Sequence, residues 1–199
     1  MFITFEGIDG SGKTTQIGLL EEYFNKRNIK VIKLREPGGT LVSEQIRDIL
    51  LHSKSDINPI TELLLFNAAR SCLVESIIKP ALAGGKTVIC DRFYDSTTAY
   101  QGYGRGLPLH EVMNINLAAT GGLSPDITFY LEIPFKLTTY RTNHRAQDRM
   151  EKSGSEFFQR VIDGFEAIAA LEPERFIRID GSREIAEVHS DIIAVIESR

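Results

Sequence analysis

Three glycines, a lysine and a hydroxyl stand at fixed spacing in Gly7-Ile8-Asp9-Gly10-Ser11-Gly12-Lys13-Thr14. The run satisfies GxxxxGK[ST] in full, between the apolar stretch Phe2 to Glu6 and a helical pattern that begins at Lys13. Glycines let successive backbone N–H groups turn inward around phosphate oxygens, and the helix that follows presents its positive end to the same anion. Residues 7–14 are therefore expected to cradle the phosphates of a nucleotide, with Lys13 reaching the β- and γ-phosphates and the Thr14 hydroxyl ligating Mg²⁺. The bland alternative is a tight strand-to-helix turn whose lysine is solvated.

Asp91 closes the apolar run Thr87-Val88-Ile89-Cys90. A carboxylate at the carboxyl end of a buried parallel strand lies at the mouth of the sheet, where it can hold Mg²⁺ opposite Thr14. Alone it would read as a helix cap; beside an intact phosphate loop it reads as a metal ligand. Arg92 follows directly, and Arg141, Arg145 and Arg149 recur every four residues, which on a helix stacks three like charges. Such a face needs an anion to answer it, so the charged segment 141–154 is expected to be a short lid over phosphates. A solvated surface helix is the alternative.

These groups need a frame to bring them together. Strand candidates run from Phe2 to Glu6, Lys30 to Leu34, Thr87 to Asp91, Asp126 to Glu132 and Arg175 to Ile179, with helix candidates near 13–27, 43–52, 59–83, 96–120, 134–148, 155–171 and 183–197. Strands alternating with helices imply an α/β fold, a parallel sheet flanked by helices on both faces. No repeat, linker or low-complexity tract interrupts the 199 residues, so residues 1–199 are expected to form one domain.

Composition narrows the partners. With 27 acidic and 23 basic residues the net charge is −4, so no global positive field exists to attract a nucleic-acid backbone. No basic, apolar leader opens the chain and no apolar run reaches membrane-spanning length, so no membrane role is expected. Two cysteines, Cys72 and Cys90, make no disulfide framework and lack zinc-ligand spacing, which fits a reducing, cytoplasmic setting. A GTPase switch is disfavoured, because Asn25-Lys26-Arg27-Asn28 is not NKxD and Asp91-Arg92-Phe93-Tyr94 is not DxxG.

Taken together, the motifs resemble the thymidylate kinases. The resemblance runs through Phe5-Glu6-Gly7, Arg35-Glu36-Pro37-Gly38-Gly39-Thr40, Leu65-Phe66-Asn67-Ala68-Ala69-Arg70, Asp91-Arg92-Phe93 with Ser96 and Ala99-Tyr100-Gln101-Gly102, and Asp148-Arg149-Met150-Glu151. It implies a phosphate-loop kinase fold with five parallel strands, and the reaction of ATP with dTMP to give ADP and dTDP, with Mg²⁺, usually in a homodimer. It further implies that Phe66 stacks on thymine and Arg70 hydrogen-bonds it, that Arg92 holds the dTMP phosphate, and that Tyr100 lines the deoxyribose. Glu36 and Pro37 would belong to the acceptor loop, and Ser96 and Gln101 would complete the base pocket. Phe66 and Arg70 are four apart, hence on one helical face, although Phe66 within Leu63-Leu64-Leu65-Phe66 also fits a core position and Tyr100 could cap the core.

Some members of the family carry an arginine inside the phosphate loop, whereas this chain has Gly10-Ser11. The transition-state cation is then expected from the lid, as in the bacterial type, with Arg145 first and Arg141 and Arg149 as competitors. The expected chemistry is direct in-line phosphoryl transfer by Lys13, Arg92, Mg²⁺ and the lid, with Asp9 orienting a water on the metal or the sugar. A kinase of another pyrimidine nucleotide and a nucleotide-binding regulator without catalysis are the alternatives.

Overall fold

A computed structural model describes residues 1–142 and 149–199. Among them, five strands form one all-parallel sheet: β1 (Phe2–Glu6), β2 (Val31–Arg35), β3 (Thr87–Asp91), β4 (Ile127–Glu132) and β5 (Phe176–Asp180), in the order β2-β3-β1-β4-β5. The strand expectations hold to within a residue. Because β3 and β4 lie on opposite sides of β1, the carboxyl ends of these three strands open a crevice where such sheets bind ligands.

Side chains alternate across the sheet. Ile3 and Phe5 pack with Ile17, Leu20 and Phe24 of α1 (Lys13–Lys26) and with Val188, Ile192 and Ile196 of α9 (Ile185–Glu197). Phe2 turns to the other face, against Leu73, Val74, Ile78 and Phe93. Tyr130 and Phe176 on that face meet Val161 and Phe165 of α8 (Ser155–Leu171). Each such fully buried side chain contributes about 1.5–3 kcal/mol. Alternation also sends Thr4 and Glu6 to the face of Phe2, which matters for the site.

Two long helices expected from the sequence are interrupted. The 59–83 pattern forms α3 (Pro59–Leu73), a π-helical turn (Val74–Ile78) and α4 (Lys79–Ala83). Pro80 cannot donate to the carbonyl four residues back, and the widened turn before it absorbs the misfit. The 96–120 pattern breaks further, into α5 (Tyr94–Thr97), a π-helical turn (Thr98–Gly104) and α6 (Leu109–Thr120). Gly106 at φ 77° and Pro108, which disfavours helix at Leu107, end the run between them. The second helix, α2 (Leu41–His52), begins earlier than expected because Thr40 caps it, its hydroxyl accepting from the Ser43 N–H at 3.0 Å. The seventh, α7, spans Phe135–Thr142, and the remainder of the expected 134–148 helix lies outside the described residues.

A buried ion pair pins α5 to the sheet. The Arg175 guanidinium donates two bonds to Asp95, at 2.7 and 2.9 Å, and a third to the Thr128 hydroxyl at 2.7 Å. Such a fork-to-carboxylate contact fixes orientation as well as distance.

Candidate active site

The loop after β1 turns through Gly7, Gly10 and Gly12 at φ 130°, 79° and 99°, a region that favours glycine. A Cβ on Gly7 would stand 2.6 Å from the Leu131 carbonyl oxygen, so glycine is required there for packing as well. Gly12 caps α1 without a side chain, leaving the first N–H groups of the helix directed into the cleft. Lys13 folds back over the loop, its Nζ donating to the carbonyls of Gly7 at 2.9 Å and Ile8 at 3.2 Å. Burial, followed by the neighbouring Arg92 charge, lowers the Lys13 pKa from its ordinary value.

Asp9 through Thr14 line a cleft of about 740 Å³ that continues past Asp91 and Arg92 to Phe66, Arg70, Tyr100 and Gln101. Gly7 and Ile8, expected in the cradle, do not line it. Gly7 is wedged against β4 and the Ile8 side chain is core, while their carbonyls accept from Lys13.

Asp91 was expected to hold Mg²⁺. Its Oδ1 is buried and has no hydrogen-bond partner among the described residues, a state that suits a cation or its water. Thr14 is exposed on the cleft wall. No group of three or more His, Cys, Asp or Glu side chains gathers among the described residues.

Opposite the loop stands Arg92, the left-handed residue of the wall at φ 70°. Its guanidinium donates to Asp9 Oδ1 at 2.9 Å and to Ser96 Oγ at 3.0 Å, and lies 5.3 Å from the centroid of the Tyr100 ring. The Tyr100 ring is buried within a cluster of Phe157, Phe158 and Phe165 and also borders the cleft, so it is core and cleft wall at once. Burial pushes its hydroxyl pKa up, keeping it neutral.

Phe66 is half-buried and borders the cleft, so it is not a core residue. Arg70 also lines the cleft, with its guanidinium held by protein partners. It is almost sealed from solvent, with Nε 2.8 Å and an Nη 2.6 Å from Glu36 Oε2, while its other Nη donates to Asn67 at 3.2 Å and Asn116 at 3.4 Å. Burial raises the Glu36 pKa, and the Arg70 charge opposes the rise. Pro37 borders the cleft, and its carbonyl accepts from Arg35 and from Arg47, each at 2.9 Å. Arg47 was not foreseen.

Glu62, with no exposed side-chain area, gathers the far end of the pocket. It accepts from Gln101 Nε2 at 2.8 Å, from Arg105 at 3.1 and 3.2 Å, and forms an ion pair with Arg149 at 2.5 Å. Arg149 also donates to the Leu50 carbonyl at 2.9 Å. It sits on a turn beside the short 3₁₀ helix Glu151–Ser153, so the expected stack of three arginines on one helix does not include it. Arg141, by contrast, donates to the carbonyl of Gly10 at 3.1 Å and of Gly181 at 3.3 Å, at the rim of the phosphate loop. Arg145 lies outside the described residues. Beyond Gly181 the cleft is walled by Arg183, Ile185 and Val188, another set with no motif of its own.

Fold and cleft together define the phosphate-loop kinase class, its glycine loop on one side of the cleft and an arginine-bearing wall on the other. The family model described as thymidylate kinase matches residues 5–192, and the chain belongs to that family. A thymidylate kinase of Prosthecochloris aestuarii is 50% identical over 209 residues, spanning all of this chain and 94% of that one. One from Thermoanaerobacter sp. strain X514 is 47% identical over 98% of this chain and 97% of its own. The crystal structure of thymidylate kinase from Ehrlichia chaffeensis superposes with a TM-score of 0.81, at 41% identity and 98% coverage of both chains.

Proposed function

We infer that this chain transfers the γ-phosphoryl group of ATP to dTMP, giving ADP and dTDP on the way to dTTP. The observation that carries the reading is the Asp9–Arg92 ion pair, 2.9 Å long, which joins the phosphate loop to the wall where an acceptor phosphate would lie. A dTMP phosphate oxygen is already ionised near neutral pH, so no strong base is required, and catalysis is positioning plus charge neutralisation. Lys13 would leave its loop carbonyls for the β- and γ-phosphates, and the N–H groups of residues 9–14 would hold the same oxygens. Arg92 would hold the acceptor phosphate, and Asp9 would keep that guanidinium aimed at the loop. Thr14 and Asp91 would hold Mg²⁺, which would supply charge neutralisation for the nucleotide phosphates.

Phe66 would stack on the base. Glu36 and Pro37 would shape the acceptor loop, with Ser96, Tyr100 and Gln101 bordering the nucleotide. In the lid, Arg141 is placed to approach the transferring group from the Gly10 side, and Arg145 keeps the role proposed from the sequence.

Exposed apolar residues support a homodimer. Val42 and Ile49 on α2, Ile60 and Leu64 on α3, and Leu109, Met113 and Leu117 on α6 follow helical spacing. No described helix is long and apolar enough to cross a membrane. Two free cysteines support a reducing, cytoplasmic setting. A coupled ADP-release assay with dTMP, dUMP, UMP and dCMP tests the reading: dTMP should have the highest kcat/KM, and a higher value for UMP or dCMP would reassign the substrate.

A further inference from the structure

Glu6 ends β1 on the face that alternation turns away from α1, and its side chain is fully buried. It is one residue before the phosphate loop, yet its bonds go to the opposite wall. Oε1 accepts the backbone N–H of Phe93 at 2.8 Å and of Ser96 at 3.3 Å, and Oε2 accepts the Ser96 hydroxyl. These donors lie just after Arg92, whose φ of 70° is costly for a residue with a Cβ. The Arg92 backbone N–H is meanwhile held by the Phe5 carbonyl at 2.9 Å. A Ser96 hydroxyl that gives its proton to Glu6 has its lone pairs turned toward Arg92, which donates to that oxygen at 3.0 Å.

We propose that Glu6 is a positioning residue for the acceptor phosphate: its carboxylate locks the left-handed turn at Arg92 and orients the Ser96 hydroxyl against which the Arg92 guanidinium rests. Buried strand-end carboxylates without partners are expensive, and this one is answered by three donors, all from residues 93–96. The inference rests on Arg92 receiving a nucleotide phosphate, and it adds a residue that touches no substrate.

Binding of dTMP and of thymidine, which lacks the phosphate, separates positioning from bulk stability. Glu6→Gln keeps the shape but points an amide donor at Ser96. It should weaken dTMP binding about tenfold, the scale of one charge-assisted contact, and leave thymidine binding within about twofold. In an Arg92→Ala background the same substitution should change dTMP binding by less than about twofold, because the group it acts through is gone. Ser96→Ala leaves the backbone bonds in place; because Ser96 also borders the nucleotide, a loss for dTMP that is absent for thymidine and absent in the Arg92→Ala background supports the inference if Glu6→Gln does not fold, and any other pattern overturns it. Equal loss for dTMP and thymidine, no loss for either, or the full loss with Arg92 absent would overturn the inference. Failure of the wild type to turn over dTMP would instead overturn the proposed function.

Discussion

Arg70 and Glu36 face each other 2.6 Å apart at the closed end of the cleft, with side-chain exposures of 2% and 4%. Removing one partner strands a buried charge, a change that costs about 3–5 kcal/mol. Arg70→Ala and Glu36→Ala should each lower the unfolding free energy on that scale, and the double variant should cost clearly less than the sum. Denaturant titration of the four proteins checks this; additive losses would mean that the pair is not coupled. The order dTMP, then dUMP, then dCMP in kcat/KM remains expected. The test of Arg70 as a base reader is therefore Arg70→Lys, which keeps the charge: a narrower gap between dTMP and dCMP would support that role.

Lys13→Ala and Arg92→Ala each remove a cation from the site proposed to hold the phosphates. Each should lower kcat/KM for dTMP by two to three decades, about 3–4 kcal/mol in the barrier. Steady-state kinetics measure the effect, and activity within about threefold of wild type would remove that residue from the mechanism.

The two described lid arginines make opposite predictions. Arg141 reaches the Gly10 carbonyl, so Arg141→Ala should lower kcat by about tenfold or more with little change in dTMP KM. Arg149 is bound to Glu62 and Leu50, so Arg149→Ala should act mainly on thermal stability and dTMP KM. A kcat loss confined to Arg149→Ala would reverse the assignment.

Glu6 gives stability a pH dependence of defined sign. Burial raises its pKa from 4.5 to about 7, the nearby Asp95 carboxylate adds to the rise, and Arg92 opposes it. Lys13, Tyr100 and Cys90 face it from α1, the π-helical turn and β3. The native state thus binds more protons than the unfolded one between pH 4.5 and about 7. The group's contribution is present below that window and is lost as the pH climbs through it. Chemical denaturation of wild type and Glu6→Gln at pH 5 and pH 8 should show wild type losing ground to the variant at the higher pH. A gap independent of pH would refute the raised pKa.

How much could be read beforehand depended on whether a residue's neighbours are local. Gly10, Gly12 and Lys13 were legible because the loop's geometry is dictated by its own glycines, and the strands because alternating β-branched runs fix their faces. Glu6 was not, since a glutamate ending a strand reads as solvated until residues 93–96 fold over it. Glu62 in Thr61-Glu62-Leu63 looks like a surface position, and its partners Arg105 and Arg149 come from distant segments. The same distance effect hid the Arg70–Glu36 pair: Arg70 is four residues from Phe66 as expected, but its carboxylate partner comes from 34 residues away. The π-helical turns have no period to betray them.

The Asp95–Arg175 pair spans 80 residues of sequence, which places a requirement on synthesis. When the ribosome has released only β1 to β4, the phosphate loop and its glycines are complete and Glu6 can already hold residues 93–96, but the Arg175 cation that answers Asp95 has yet to emerge. The ion pair on α5 therefore closes only after Arg175 has emerged and β5 has docked, so the wall carrying Arg92 gains its last anchor late in synthesis. An amino-terminal fragment ending before Arg175 would keep the phosphate-loop sequence and leave Asp95 without its guanidinium.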